Sequence, residues 1–274
     1  MDYKRIEWLF FIVFLLIDIY LGIEILRSPV NLSNADTTTQ SVASIRSEMK
    51  SDNIDLPESI SNTPDSGYYL ATKNRDYLSS KVSDLTNVTA RYSKTDNTLY
   101  ATPKIATTLS KNEKTALKQV NEFKNDPKNV PYGKQFKYEP DMSSADNYMF
   151  VQTSDYGEIY ANVAQLTISV KDNQITNYTE TYMGPASPVR ELQSTISAWR
   201  AIRAMYTDRE LTNNSRVARI KLGYSKLTEV RGSTILLPTW LVWVESKTTK
   251  NITLKRVNAY TAQMLQSSTY NVER

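Results

Sequence analysis

The chain has no cysteine and no histidine among its 274 residues. The missing cysteine removes disulfides, thiolate nucleophiles, Cys-based zinc sites and a lipidated anchor. The missing histidine removes the usual general base near neutral pH and the commonest metal ligand. A Ser-His-Asp triad is excluded outright. No enzyme, metal or cofactor is therefore expected. Glycine is scarce, 7 residues against 18 tyrosines, a balance that favours ordered β-structure over low complexity. Basic residues exceed acidic ones by four, but they are scattered, with no Lys/Arg block and no nucleic-acid motif. A solvated mixed surface is expected, and no nucleic-acid partner.

What is present begins at the N-terminus. Ile6 through Leu26 reads IEWLFFIVFLLIDIYLGIEIL, in which fifteen residues are Ile, Leu, Phe or Val. As a helix rising about 1.5 Å per residue, this run is long enough to cross a bilayer core. Each central apolar residue contributes up to about −0.3 to −0.6 kcal/mol and one acid costs roughly 2.5–3.5, so the sum favours insertion. Lys4 and Arg5 precede the run, whereas Arg27 stands alone after it until Arg46. The positive-inside rule then places the first residues in the cytoplasm and the rest outside the cell membrane, as a single-pass protein. A cleaved signal peptide would have a shorter apolar core and a small-x-small site, and Gly22-Ile23-Glu24-Ile25-Leu26 offers none.

Asp18 lies just past the centre of this anchor, where a carboxylate is expensive and usually faces a partner or a polar cavity. Gly22 is one turn later on the same face, with Phe14 and Leu15 just below. An acid that hydrogen-bonds and a glycine that lets backbones approach favour helix–helix contact in lipid. Phe14, Leu15, Asp18 and Gly22 form the candidate partner-contact face. The competing reading is a strongly apolar helix that tolerates one acid.

Residues 28–66 are rich in Ser, Thr, Asn and Asp and read as a stalk. Val42, Ile45 and Met49 have the spacing of a short helical stripe, and Ile54, Leu56 and Ile60 can lie along a domain. Order begins near Gly67-Tyr68-Tyr69-Leu70. Periodicity predicts a helix over 74–85, and Ser110-Lys111-Asn112-Glu113 reads as a capping box before the stripe Ala116, Leu117, Val120, Phe123. The clearest hairpin runs from Leu166 to Tyr182 about the turn Lys171-Asp172-Asn173-Gln174. Met183 to Pro188 is the best internal boundary. Ser187 as cap and Pro188 at the first helical position predict a helix running to about Tyr206, with Leu192, Ile196, Trp199, Ile202 and Tyr206 on one face. Three strands follow. The expected fold is α+β: a cytoplasmic tip and transmembrane anchor over 1–27, a stalk over 28–66, and two modules of helix on antiparallel sheet over 67–185 and 186–274.

Other candidates have plainer readings. Trp240 and Trp243 point to opposite faces of a strand, so at least one belongs to the core rather than to a recognition patch. Tyr178, Tyr182 and Tyr260 are better read as sheet packing than as a carbohydrate platform. The acid pairs Asp141/Asp146, Asp155/Glu158 and Asp208/Glu210 fall in loops or helix ends, although a glycosidase needs two acids facing one cleft.

The order of these features resembles the YycI family, membrane-anchored regulatory proteins of the WalRK (YycFG) two-component system in low-GC Gram-positive bacteria. The residues that carry the resemblance are Lys4-Arg5-Ile6-Glu7-Trp8, Gly67-Tyr68-Tyr69-Leu70, the Leu166–Tyr182 hairpin with Thr181-Tyr182, and Leu211 with Asn213-Asn214-Ser215. Leu222-Gly223-Tyr224, Pro238 with Trp240, and Val257-Asn258-Ala259-Tyr260-Thr261 complete the set. The resemblance implies exterior modules related to those of YycH and to PepSY-like folds. It implies a complex with a YycH-like regulator and a WalK-like sensor histidine kinase, partly through transmembrane contacts, in control of cell-wall homeostasis. It carries no catalytic residues. Ala262 departs from the glycine often expected after Asn-Ala-aromatic-Thr, which puts a glycine-type turn there in doubt. The alternative function is an envelope binding module that senses a wall polymer or peptide.

Overall fold

The computed structural model describes residues 3–27 and 35–265. The chain divides into two compact units, Met1–Glu48 and Met49–Arg274. The first unit holds α1 (Tyr3–Arg27), which covers the expected anchor, and most of α2 (Ala35–Ser51). Among the described residues no helix is long and apolar enough to cross a membrane, so the anchor remains an expectation from sequence. The helical stripe expected near Ile45 and Met49 falls within α2, and Met49 is fully buried. Ile54 and Ile60 are buried as well, so the ordered unit begins well before Gly67.

The second unit is α+β and built almost wholly of antiparallel strands. A two-stranded sheet pairs β1 (Pro64–Gly67) with a strand near residue 195. Among the described residues the main sheet has fourteen strands. Its first part contains β2 (Leu70–Lys73), β3 (Val88–Ser93), β4 (Thr98–Pro103), β5 (Thr107–Thr108), β6 (Phe136–Tyr138), β7 (Asn147–Ser154), β8 (Gly157–Ile159), β9 (Gln165–Lys171) and β10 (Gln174–Glu180). After these come β11 (Ser187–Pro188), β12 (Gln193–Ser197), β13 (Ser215–Val230), β14 (Ser233–Ser246), β15 (Ile252–Asn258) and β16 (Met264–Leu265). The partner of β1 is β12.

The main path runs β11-β2-β14-β13-β8-β7-β9-β10-β4-β3. The boundary expected at 185/186 does not part this sheet. β2 leaves the first half of the chain to pair with β14, and β8 meets β13 in the only parallel pairing on the path, Ile159 opposite Tyr224. The Tyr160 amide donates to the Tyr224 carbonyl at 2.8 Å and continues this seam.

The β9–β10 hairpin forms as the sequence predicts. Asp172 and Asn173 both take positive φ, 52° and 58°, as a two-residue type I′ connection requires. Helix α3 (Glu113–Asn125) also forms over its expected stripe and buries Ala116, Val120 and Phe123. Its cap is Asn112, whose side chain accepts from the Thr115 amide at 3.1 Å, while Ser110 Oγ accepts from Asn112 N. The cap therefore lies two residues beyond Ser110, and Ser110 rather than a glutamate satisfies the cap amide.

Two helix expectations need correction. Over 74–85 only a short 3-10 turn forms, Ser79–Asp84, started by Asp76 accepting from the Ser79 amide. The long helix expected from Pro188 shrinks to α4 (Ala198–Thr207), capped by Ser197. Ser187 and Pro188 pair instead with Ala71 and Leu70, and Gln193–Ser197 pairs with β1, so sheet edges claim the residues that local capping signals assigned to a helix. Leu192 is accordingly exposed, whereas Trp199 and Ile202 remain on the buried face.

The largest apolar core lies between α3 and the sheet strands β4, β7, β9 and β10, around Leu99, Phe150, Leu166, Ile168 and Tyr178. Two smaller clusters line opposite faces of the β8–β13–β14 region. One holds Leu70, Ile159, Tyr224 and Leu236, the other Tyr160, Leu241, Trp243 and Leu254. The turn after β15 keeps a left-handed residue despite lacking glycine, since Ala262 sits at φ +65°.

Candidate functional site

The expected contact residues all fall in α1. Phe14 is 61% exposed, Leu15 45%, and Asp18 is exposed one turn beyond Phe14. Helical geometry puts Phe14, Asp18 and Gly22 at successive i,i+4 positions, with Leu15 three residues before Asp18. One helix face therefore presents an aromatic, an acid and a glycine. Such a face can pack against another helix, with Asp18 as its polar contact.

In the second unit the most concentrated chemistry lies along the β8–β13 seam. Glu139, Asp141 and Glu158 face Lys137, Arg219 and Lys221, so three negative charges meet three positive ones. Lys137 Nζ lies 2.7 Å from Glu158 Oε1, and Lys221 bonds the other Glu158 oxygen. Arg219 bridges Glu139 and Asp141, the latter at 3.0 Å through Nε. Between the two glutamates stands Tyr160, whose hydroxyl is 2.6 Å from Glu139 Oε2 and 2.8 Å from Glu158 Oε2. Its single proton serves one carboxylate at a time. Burial raises the Glu158 carboxyl, but bonds from Lys137, Lys221 and Tyr160 outweigh it and hold the group at about 2. Burial and the two carboxylates push the Tyr160 phenol far up.

This arrangement joins two halves of a sheet, and each of its three acids is paired with a cation. Of the acid pairs singled out in the sequence, Asp141 and Glu158 are drawn into this network separately, by Arg219 and by the two lysines. Glu210 pairs with Lys255 at 2.7 Å, whereas its companion Asp208 borders a groove beside α4. Among the described residues no group of three acids could hold a metal ion.

The aromatics expected in the core are largely there. Trp243 is 1% exposed and Trp240 7%, the latter donating its indole N–H to the Ile196 carbonyl at 2.9 Å. Tyr178 meets Phe123 edge-on, and Tyr182 stacks on Tyr132 at 3.9 Å. Tyr260 is separate and half-buried. It lies 5.0 Å from Tyr69, which the Arg190 guanidinium covers at 5.1 Å. Exposed Val189 and Leu192 flank Arg190 in sequence.

Sequence reading missed Glu139, Arg219 and Lys221, which are brought together by register across distant strands. It also missed Glu180, fully buried in β10. The alternation of Tyr178, Glu180 and Tyr182 was a usable signal, because it placed the acid on the same face as two core tyrosines.

A family model described as YycI protein matches residues 32–260. No curated protein matches the chain. Among solved structures it is similar to an uncharacterized protein from Eubacterium rectale ATCC 33656, at 10% identity and a TM-score of 0.44, over 78% of this chain and 91% of that one. It is also similar to the Bacillus megaterium YpeB C-terminal domain, at 12% identity and a TM-score of 0.40, over 66% and 81%. Likenesses this distant carry no argument about function. The family match, by contrast, spans most of the sequence and includes nearly every segment on which the resemblance was drawn: the chain belongs to the YycI family.

Proposed function

We propose that the chain is a membrane-anchored regulator of a sensor histidine kinase in the two-component system that controls cell-wall homeostasis. It acts by protein contact, with the kinase and a YycH-like regulator as partners. Family membership supports the regulatory role, and the α1 face supports the means. By length alone a 25-residue helix, roughly 37 Å, matches a bilayer core, and the apolar run of the sequence supplies the rest of the reading. On it Phe14, Leu15, Asp18 and Gly22 provide the contact face, and the second unit lies outside the cell. The observation that carries this reading is Asp18, an exposed acid and the one charged residue between Trp8 and Ile23 of α1.

The test is Asp18→Leu with Gly22→Ile in the full-length protein, scored by membrane insertion, recovery of the kinase in pull-downs and expression of its target genes. Coupling in lipid is modest, often near 1 kcal/mol per hydrogen bond, so the double change should weaken recovery and signalling while insertion is kept. Wild-type behaviour in all three would remove this face from the mechanism. Protease added to intact protoplasts should digest the second unit; a domain that survives until the membrane is opened would reverse the topology.

A further inference from the structure

A groove of about 350 Å³ runs between α4 and the turn that follows β15, bordered by Arg200, Arg203, Thr207, Asp208, Ala262 and Gln263. Arg200 and Arg203 are one turn apart on the same helix face, so their Cβ atoms lie about 5–6 Å from each other. Among the described residues neither has an acid partner, and the Asp208 carboxylate has no cation. Two guanidiniums with unused donors therefore stand at one end, and an acceptor-only carboxylate about 7–12 Å further along the helix axis, at 1.5 Å per residue.

The opposite wall is a hydrogen-bonded turn. The Asn258 side chain accepts from the amides of Tyr260 and Thr261 at 2.9 and 3.3 Å, and its carbonyl accepts from Ala262 N at 2.9 Å. Ala262 sits in the left-handed region, at φ +65°, a conformation that costs an alanine about 1–2 kcal/mol and a glycine nothing. Unrelieved strain of this kind concentrates at binding sites. The motif position that departs from glycine thus forms part of the groove wall.

From this we infer that the groove binds a polyol phosphate, its phosphate held by Arg200 and Arg203 and a hydroxyl donated to Asp208. Planar guanidiniums match phosphate oxygens in pairs, and a carboxylate accepts from a hydroxyl but repels a second phosphate. The charge order along the groove selects one anionic end and one donor end. A simple anion satisfies only half of it. The same chemistry occurs on a soluble or polymeric glycerol phosphate and on a phosphatidylglycerol headgroup. This role goes beyond contact with a kinase and does not depend on it.

The experiment titrates the full chain, reconstituted in phosphatidylcholine vesicles, with sn-glycerol 3-phosphate, inorganic phosphate and glycerol, followed by calorimetry. Glycerol phosphate should bind more tightly than inorganic phosphate, and glycerol not at all. Arg200→Gln with Arg203→Gln should weaken binding tenfold or more at an unchanged melting temperature. Asp208→Asn should erase the preference over inorganic phosphate. If phosphatidylglycerol in the vesicles lowers the apparent affinity for glycerol phosphate, the lipid headgroup occupies the groove; an unchanged affinity assigns it to the soluble or polymeric source. Failure of the wild type to bind glycerol phosphate, or equal binding by the double arginine variant, overturns the inference.

Discussion

Arg219 and Trp243 are register partners across β13 and β14, and the guanidinium of the first lies 3.8 Å from the ring centroid of the second. The same guanidinium donates to Glu139 and lies within ion-pair distance of Asp141, 3.0 Å through Nε. One residue thus couples the apolar cluster around Trp243 to the charged seam that joins the two parts of the sheet.

Arg219→Ala should cost roughly 2–4 kcal/mol. Removing one partner of a buried ion pair leaves the other charge uncompensated, and the upper end of that penalty is reduced because Arg219 is itself a third exposed. Arg219→Lys keeps the charge but loses the planar fork and the stacking, so a smaller loss is expected. Urea unfolding of the three proteins measures both. Equal stability of the alanine variant and wild type would show that the seam contributes nothing.

Glu180 gives the fold a pH dependence of definite sign. Its carboxyl is pushed up to about 8 by burial, against the opposing bond from the Tyr132 amide, and Oε2 has no hydrogen-bond partner. The folded value lies above the unfolded value near 4.5, so the folded state holds its proton longer. Its contribution is complete below about 4.5 and declines until about 8, a loss on the order of several kcal/mol. Lys124, lowered by burial to about 8 from 10.5, acts in the opposite sense and at higher pH, where stability rises between about 8 and 10.5. Melts between pH 5 and pH 8 should therefore show declining stability that Glu180→Gln flattens. A parallel decline in the variant would assign the effect elsewhere.

Trp199→Ala should destabilise by about 3–5 kcal/mol, the usual cost of truncating a buried aromatic. Trp199 is 5% exposed on the buried face of α4, beside Ile202. A shift of denaturation midpoint equivalent to less than about 1 kcal/mol would mean that the helix can close over the gap.

Ala262→Gly should raise the melting temperature. Relief of the left-handed backbone gains about 1–2 kcal/mol, and the extra freedom of glycine in the unfolded chain returns about 0.5–1. A net gain of up to about 1.5 kcal/mol is the expected result of thermal unfolding. A lower melting temperature would show that the methyl makes contacts worth more than the strain.

The elements legible in the sequence are those set by near neighbours. The β9–β10 hairpin follows from two turn residues that tolerate positive φ between alternating apolar positions, and α3 from a stripe stopped at Asp126. The apolar run of α1 and the charges around it are likewise local facts, as are Asp18 and Gly22 on one face. Pairing partners were not legible. Ser187 and Pro188 carry a sound helix-start signal, yet β2 recruits them to a sheet edge, because backbone groups there gain cross-strand bonds that a local cap cannot match. The seam, the buried Glu180 and the Arg200/Arg203 groove arise the same way. Each depends on which distant residues meet across a register or close a cavity, and charges such as Glu139 and Arg219, eighty positions apart, acquire their roles only when folding removes them together from water.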